Sequence, residues 1–350
     1  MSTSTHDVPG TQAAVPAPEG ARMRAAITPR YGSADVVQEA VLGRPEIADD
    51  EVLVQVHAAG VDRGTWHLMT GTPYLVRALG FGLTRPKQPV PGLDLSGVVV
   101  AVGKAVERFE IGDEVFGVGR ATFAEYAAAP ERKLSHKPTN VSFEAAAVTG
   151  ISGSTALQAV TDVGRVEAGQ SVLVLGASGG VGSYAVQIAA ALGAHVTGVC
   201  SAAKAATVTS LGAERVIDYA AGDYLDGATR YDLIIDAGGL NPVRRLKGAL
   251  TPAGTLVIVG GEGGGKWTGG IGRNLRAVVL SAFSRQRLTA LINREHHEST
   301  DRLAELISAG AVVPLIAGRY PLARVRDALA DLEAGRITGK AVIVVRPDAA

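Results

Sequence analysis

One stretch constrains the fold of this chain more than any other: "VLVLGASGGVGSYAVQIAAALGA", residues 172–194. An apolar, β-branched run enters a glycine-rich turn and leaves it as a helix-forming run closed by Gly193, the pattern of a strand, a tight loop and a helix. Similar apolar strands follow in "HVTGVC", "RVIDY", "YDLIIDAG" and "GTLVIVGG", with the helical pattern "AAKAATVTSLGA" among them. Strands and helices alternating at this spacing predict an α/β domain with a parallel sheet covered on both faces. Beyond Gly270, "RAVVLSAF" reads as a further apolar strand, residues 285–310 as helical, and "GKAVIVV" as a closing strand that can return to the first part of the chain.

The glycine turn admits two chemistries. Gly176, Ser178 and Gly180 spell G-x-S-x-G between a strand and a helix, where Ser178 would be a hydrolase nucleophile. The histidines that follow, His296 and His297, fall in the very polar "NREHHEST", and no His-Gly-Gly oxyanion loop is present. Alternatively, Ala177, Gly179 and Gly182 keep the spacing of G-x-G-x-x-G with the first glycine replaced. Gly179 then lets backbone approach a pyrophosphate, and Gly182 lets helix pack on strand. Ser178, Gly180 and Val181 complete that cradle, and its place at the head of repeated strand-helix units favours a dinucleotide. A third motif, Gly260, Gly265 and Lys266 in "GGEGGGKWTGG", approximates a phosphate loop but puts Trp267 where a metal-binding hydroxyl belongs. It suits a loop over the ligand crevice, or a surface turn.

An NAD site offers a carboxylate at the end of the next strand for the ribose hydroxyls. Here that strand ends "TGVCSAAK", without an acid. Ser201 and Lys204, with Tyr219 one strand further on, suit a 2′-phosphate and hence NADPH. The other reading is an exposed helix start with Ser201 as its cap.

Ahead of this domain, "EVLVQVHAAGV", "LSGVVVAVG", "DEVFGVG" and "ATFAEYAAAP" are short strands between Gly, Pro and Asp turns, and "SFEAAAV" opens a helix at Ser142. Residues 1–22, rich in Ser, Thr, Pro and Ala, read as a disordered tail. Residues 23–146 read as a β-rich catalytic domain, 147–287 as the dinucleotide domain and 288–350 as a return to the first domain. Lysine plus arginine equals aspartate plus glutamate at 34 each. No global field draws the chain to nucleic acid or to a membrane, and no run of about 18 apolar residues spans one. A lone cysteine, Cys200, fits a cytoplasmic setting.

With "HAAGVD", "PVPGLDLSGVVVAVG", "FEIGDEVFG", "FAEYA", "GSTALQAV" and the glycine loop, the sequence resembles the medium-chain dehydrogenase/reductase superfamily from residue 23 to 347. Within it the chain is similar to the zinc-free quinone-oxidoreductase-like branch. The resemblance implies a GroES-like domain, an inserted Rossmann domain and a cofactor cleft between them. Zinc-dependent members carry Cys where this chain has Asp62 and Gly-His-Glu where it has Gly92, Leu93 and Asp94, so no metal is expected. By the same likeness, the loop "GVDRGTWHLMTG" would put Asp62 near the nicotinamide ribose and His67 near the acceptor, where it gives a proton or a hydrogen bond. Packing is the other reading of His67. Trp66 belongs to a core or pocket wall, and Arg63 faces solvent. Thr155 and the backbone of Gly260 and Gly261 would touch the nicotinamide half, Gly238 the adenosine ribose, and "RAVVLSAF" would be the edge strand of a homodimer. The implied activity is NADPH-dependent reduction of a quinone or an α,β-unsaturated carbonyl. A ketone/alcohol dehydrogenase and a non-catalytic nucleotide-binding protein are the other readings.

Overall fold

The computed structural model describes residues 22–225, 227–260 and 265–347. Gly261 and the expected tail to residue 21 lie outside the described residues; Arg22 already begins a strand. Strands β1 (Arg22–Ile27) and β2 (Gln38–Gly43) pair antiparallel. Next come β3 (Glu51–Val61), β4 (Asp94–Val102), β5 (Glu114–Val118), β6 (Tyr126–Pro130) and β7 (Leu134–His136). In β3, Val52, Val54 and Val56 are buried while Leu53, Gln55 and His57 are half-buried, as the alternation of a one-sided strand requires. Helix α1 (Arg63–Thr70) leaves the end of β3, and α2 (Phe143–Ala147) and α3 (Gly150–Leu157) follow β7. Ser142 caps α2 by accepting from the Ala145 amide at 3.2 Å, as its position in the sequence predicts.

The second domain runs β8 (Ser171–Leu175), α4 (Gly180–Ala191), β9 (His195–Cys200), α5 (Ala205–Ser210), β10 (Arg215–Asp218), β11 (Tyr231–Asp236), α6 (Val243–Gly248), β12 (Leu250–Ile258), α7 (Ile271–Ala282) and β13 (Arg287–Ala290). Its six strands are all parallel, in the order β10-β9-β8-β11-β12-β13. That is a doubly wound sheet whose chain reverses direction between β8 and β11. Helix α8 (His297–Ser308) buries Leu303 and Ile307 in the core of this domain.

The return comes later than expected. Helix α8 already touches the first domain, with the Thr300 and Ser135 hydroxyls 2.6 Å apart, and β14 (Ile316–Pro321), α9 (Val325–Glu333) and β15 (Lys340–Val344) then rejoin it, β15 pairing antiparallel with β3, Ala341 opposite Val61. The expected strand "RAVVLSAF" is the body of α7, and the edge strand is β13. An apolar run of this length fits either element. Helical spacing decides here, because it turns Ala277 into the core and lets Arg273 reach Asp236, which is fully buried.

Candidate active site

At the reversal point the loops after β8 and β11 part in opposite directions and open a crevice. Gly176 turns the chain at φ +76°, where only glycine is unstrained. A Cβ on Gly182 would stand 2.1 Å from the Gly176 carbonyl oxygen, so α4 packs on β8 only because that side chain is missing. Across the crevice, a Cβ on Gly260 would stand 2.5 Å from the Ala237 oxygen. The resulting cleft, of about 390 Å³, is lined by Ser178 to Gly182, Gly238 and Gly260 from the second domain. From the first domain come Val61, Asp62, Arg63 and Lys340.

Helix α4 opens into this cleft with Gly179 as its N-cap and no side-chain cap. Its first amide hydrogens therefore lack intrahelical partners, and the positive end of its dipole faces the space. The cradle is tied to the first domain: the Gly339 amide donates to the Ser178 carbonyl at 2.7 Å, and the Lys204 ammonium donates to the Ile337 carbonyl at 3.1 Å.

Three strand ends meet on the floor: the end of β3, the start of β4 and the start of β15. Lys340 Nζ lies 3.0 Å from Asp94 Oδ2, with both side chains buried, and Asp94 Oδ1 accepts from the Ile151 amide at 2.7 Å. Burial pushes the Asp94 carboxyl up to about 6; Lys340 opposes the rise and the neighbouring Asp62 charge adds to it. Asp62 caps α1, taking the Thr65 amide on Oδ1 at 2.7 Å and the Thr65 hydroxyl on Oδ2 at 3.2 Å.

Beyond Thr65 lies a second, almost wholly apolar cavity of about 220 Å³. Thr65, Leu68 and Met69 of α1 wall one side, with Leu93, Phe81 and Pro86 among the rest. The Asp62–Thr65 cap thus has its acid in the cleft and its threonine in the cavity.

Of the expected residues, Asp62, Ser178, Gly179, Gly180, Val181, Gly182, Lys204, Gly238 and Gly260 line the cleft. Ala177 is fully buried behind them, Ser201 starts a short 3₁₀ turn, and Tyr219 is exposed at the end of β10. Thr155 gives its hydroxyl to the Ile151 carbonyl at 2.6 Å; Ser152, one turn earlier, lines the cleft in its place. His67 lines neither space. Its Nδ1 lies 2.7 Å from the Thr72 carbonyl, an oxygen that only accepts, so Nδ1 carries the hydrogen. Trp66 packs against the first-domain core as expected, whereas Arg63 lines the cleft instead of facing solvent. His296 lines a separate groove beside α8, away from Ser178. The sequence reading missed Lys340 and Ser152 as site residues. Lys340 had a signal, a lone cation heading an apolar strand, but its partner Asp94 lies 246 residues away.

Comparison with known proteins fits this geometry. Residues 48–139 match the alcohol dehydrogenase GroES-like domain family, and 211–343 match the zinc-binding dehydrogenase family. The NADPH-dependent alkenal/one oxidoreductase of Arabidopsis thaliana is 31% identical over 352 residues, covering 93% of this chain and 80% of that one. The chain belongs to the medium-chain dehydrogenase/reductase superfamily. It falls in the zinc-free quinone-oxidoreductase-like branch. The 2-methylene-furan-3-one reductase of Solanum lycopersicum is 31% identical, covering 89% of this chain and 76% of that one. The solved quinone oxidoreductase of Coxiella burnetii superposes with a TM-score of 0.82 at 27% identity, covering 93% of this chain and all of that one.

The second matched family is named for zinc, and the donor set here does not suit that ion. Both Asp62 oxygens are engaged by Thr65, Leu93 offers no donor, and Asp94 is held by Lys340 and Ile151. Among the described residues, no group of three or more His, Cys, Asp or Glu side chains could hold a metal.

Proposed function

We propose that this chain is a zinc-independent, NADPH-dependent reductase acting on a quinone or an α,β-unsaturated carbonyl. One observation carries the reading: an uncapped helix start lines a glycine-built cleft that adjoins an apolar cavity through the Asp62–Thr65 cap. The names of the similar plant and Coxiella proteins point the same way.

The N-terminus of α4, with Gly179 and Gly182 clearing the approach, would hold a pyrophosphate. Arg63 and Lys204 add positive charge to the same walls. Lys204, just beyond the end of β9, whose own sequence carries no acid although Asp218 of β10 lies opposite Cys200, would exchange the Ile337 carbonyl for a 2′-phosphate, with Ser201 and Tyr219 alongside. The bound cofactor supplies a hydride. This chain's residues orient the partners and shape the electrostatics around them.

Leu93, Leu68 and Met69 keep the acceptor cavity dry and offer no Lewis acid. Such a site favours conjugated acceptors, which spread the incoming charge, over a simple alcohol, which needs help to lose its proton. Asp62 is pinned by its two bonds to Thr65, so its carboxyl group stays on the cleft side of α1. His67 holds the Thr72 turn that leads into the cavity wall, and we assign it that positioning role. Pairing of two copies would use the bare edge of β13 at Arg287–Ala290.

The test is NADPH and NADH oxidation followed at 340 nm with quinone, enone and ketone panels. The expectation is turnover with quinones or enones and a preference for NADPH. Binding of NADPH without turnover on any acceptor would favour the non-catalytic reading, and turnover confined to ketones would favour the alcohol dehydrogenase reading.

A further inference from the structure

The apolar cavity beyond Thr65 has an outer wall that is built rather than incidental. Its inner side is α1, through Leu68 and Met69, and Leu93 bounds it next to the start of β4. Phe81 and Pro86 complete it from the segment between α1 and β4. That segment is folded on itself, the Lys87 amide donating to the Phe81 carbonyl at 2.9 Å. Gly82 makes the fold possible: it sits at φ +113°, and a Cβ there would overlap the Arg85 carbonyl oxygen.

Residues 28–32, which follow β1, tie the two walls together. The Thr28 amide and hydroxyl both donate to the Pro89 carbonyl, at 2.7 and 3.1 Å. The Tyr31 hydroxyl donates to the Gly82 carbonyl at 2.6 Å, with the Phe81 carbonyl at 3.1 Å, and the Gly32 amide donates to the Met69 carbonyl at 3.3 Å. The Tyr31 ring is itself held. The Arg77 guanidinium lies 4.3 Å from the ring centre while its Nε donates to the Gly71 carbonyl at 2.8 Å, and a Cβ on Gly71 would stand 2.6 Å from the ring. Partial burial pushes the Tyr31 hydroxyl above the ordinary tyrosine value against the pull of Arg77, so the donor is not lost to ionisation at neutral pH. One side chain thus reaches from the end of α1 to the wall opposite.

We infer that this cavity holds the apolar substituent of the conjugated acceptor, and that Tyr31 is the positioning residue that sets its width. The inference rests on the reductase reading above and adds the substrate class to it. Among the polar side chains of the lining, Thr28, Thr65 and Arg120 are already engaged, by Pro89, Asp62 and Glu51, so an apolar substituent is favoured over a hydroxylated or charged one. Size limits it further. An apolar cavity of about 150 Å³ accepts a benzene ring. At about 220 Å³, this one has room for a ring with a short side chain or for an alkyl chain of about eight carbons. Alkyl or aryl enones and short-tailed quinones are the class that fits, with the reacting carbon at the Asp62–Thr65 cap, where the cavity adjoins the cleft.

The experiment measures kcat/KM of the full chain for alkyl vinyl ketones from methyl to undecyl, and calorimetric affinity for saturated methyl alkyl ketones of the same lengths. Both should rise about fourfold per methylene and level off near a chain of about eight carbons. Leu68→Trp, which fills the cavity, should cost the octyl ketone about tenfold relative to the methyl ketone. Tyr31→Phe keeps the ring and removes only the hydroxyl. It should lower the octyl-to-methyl ratio of kcat/KM about fivefold, through KM rather than kcat, with the melting temperature within about 3 °C of the parent. Turnover that is indifferent to chain length overturns the inference and leaves the reductase reading standing. Ketone binding that follows chain length and is abolished by Leu68→Trp, without turnover of any acceptor, upholds the pocket and removes the reductase reading. A Tyr31→Phe ratio equal to that of the parent overturns the assignment of Tyr31.

Discussion

Two helices begin at the rim of the same cleft, and they begin in opposite ways. Helix α4 starts at Gly179 with no side-chain cap, so its amide hydrogens and dipole are left for an anion. Helix α1 starts at Asp62, whose carboxylate already occupies the Thr65 amide and hydroxyl. One start recruits negative charge and the other supplies it. The difference lies in a single side chain at the cap, and on the proposed function it separates a phosphate end of the cleft from an acceptor end. Lys340 stands between the two starts. Its ammonium holds Asp94, and its Cδ would lie 3.1 Å from a Cβ on Gly180.

The largest break in this contrast is Lys340→Met. It leaves Asp94 buried beside Asp62 without a cation, at a cost of about 3–5 kcal/mol at pH 8. Asp94 is an acid whose folded pKa, about 6, already exceeds its ordinary value of 3.8. Its own contribution to stability is therefore present in acid and lost as pH rises through that window. Without Lys340 the window moves upward, so chemical denaturation should show the variant recovering much of its deficit at pH 5. A deficit independent of pH would contradict the assignment.

Next in size is Gly182→Ala, which drives a methyl group into the Gly176 carbonyl. A loss of about 2 kcal/mol is expected by thermal unfolding, with NADPH binding weakened more than tenfold. Unchanged binding would mean that the α4 start is not the anion site.

Asp62→Ala uncaps α1 at about 1 kcal/mol, whereas Asp62→Asn keeps the cap and removes only the charge, so its stability should stay within about 0.5 kcal/mol of the parent. Both should lower the pH at which Asp94 titrates, read from the pH dependence of stability, because the Asp62 charge helps to raise it. Lys204→Ala acts on affinity and not on the fold: about a tenfold loss of NADPH affinity is expected, near 1.4 kcal/mol, with NADH little changed in fluorescence titration. Equal losses for the two cofactors would remove Lys204 from the 2′-phosphate.

The α4 start was legible in the sequence because glycine spacing records backbone geometry directly, and backbone is what the site uses. The α1 start was half legible. Its family position singled out Asp62, but a capping bond between Asp62 and Thr65 carries no periodic signature, and the Asp94–Lys340 pair joins strands far apart in the chain. Arg63 was read outward because nothing local showed that α9 and β15 would close the cleft over it. "RAVVLSAF" was read as a strand because an amphipathic helix is recognised by a polar outer face, and α7 presents apolar side chains on both faces.

The central claim is hydride delivery to a conjugated acceptor without help from a metal. Its most direct test is the rate of NADPH oxidation with a quinone or an enone, measured on protein dialysed against a strong chelator and again after zinc is restored. The account predicts turnover that neither treatment changes. Loss of activity on chelation with recovery on zinc would contradict it.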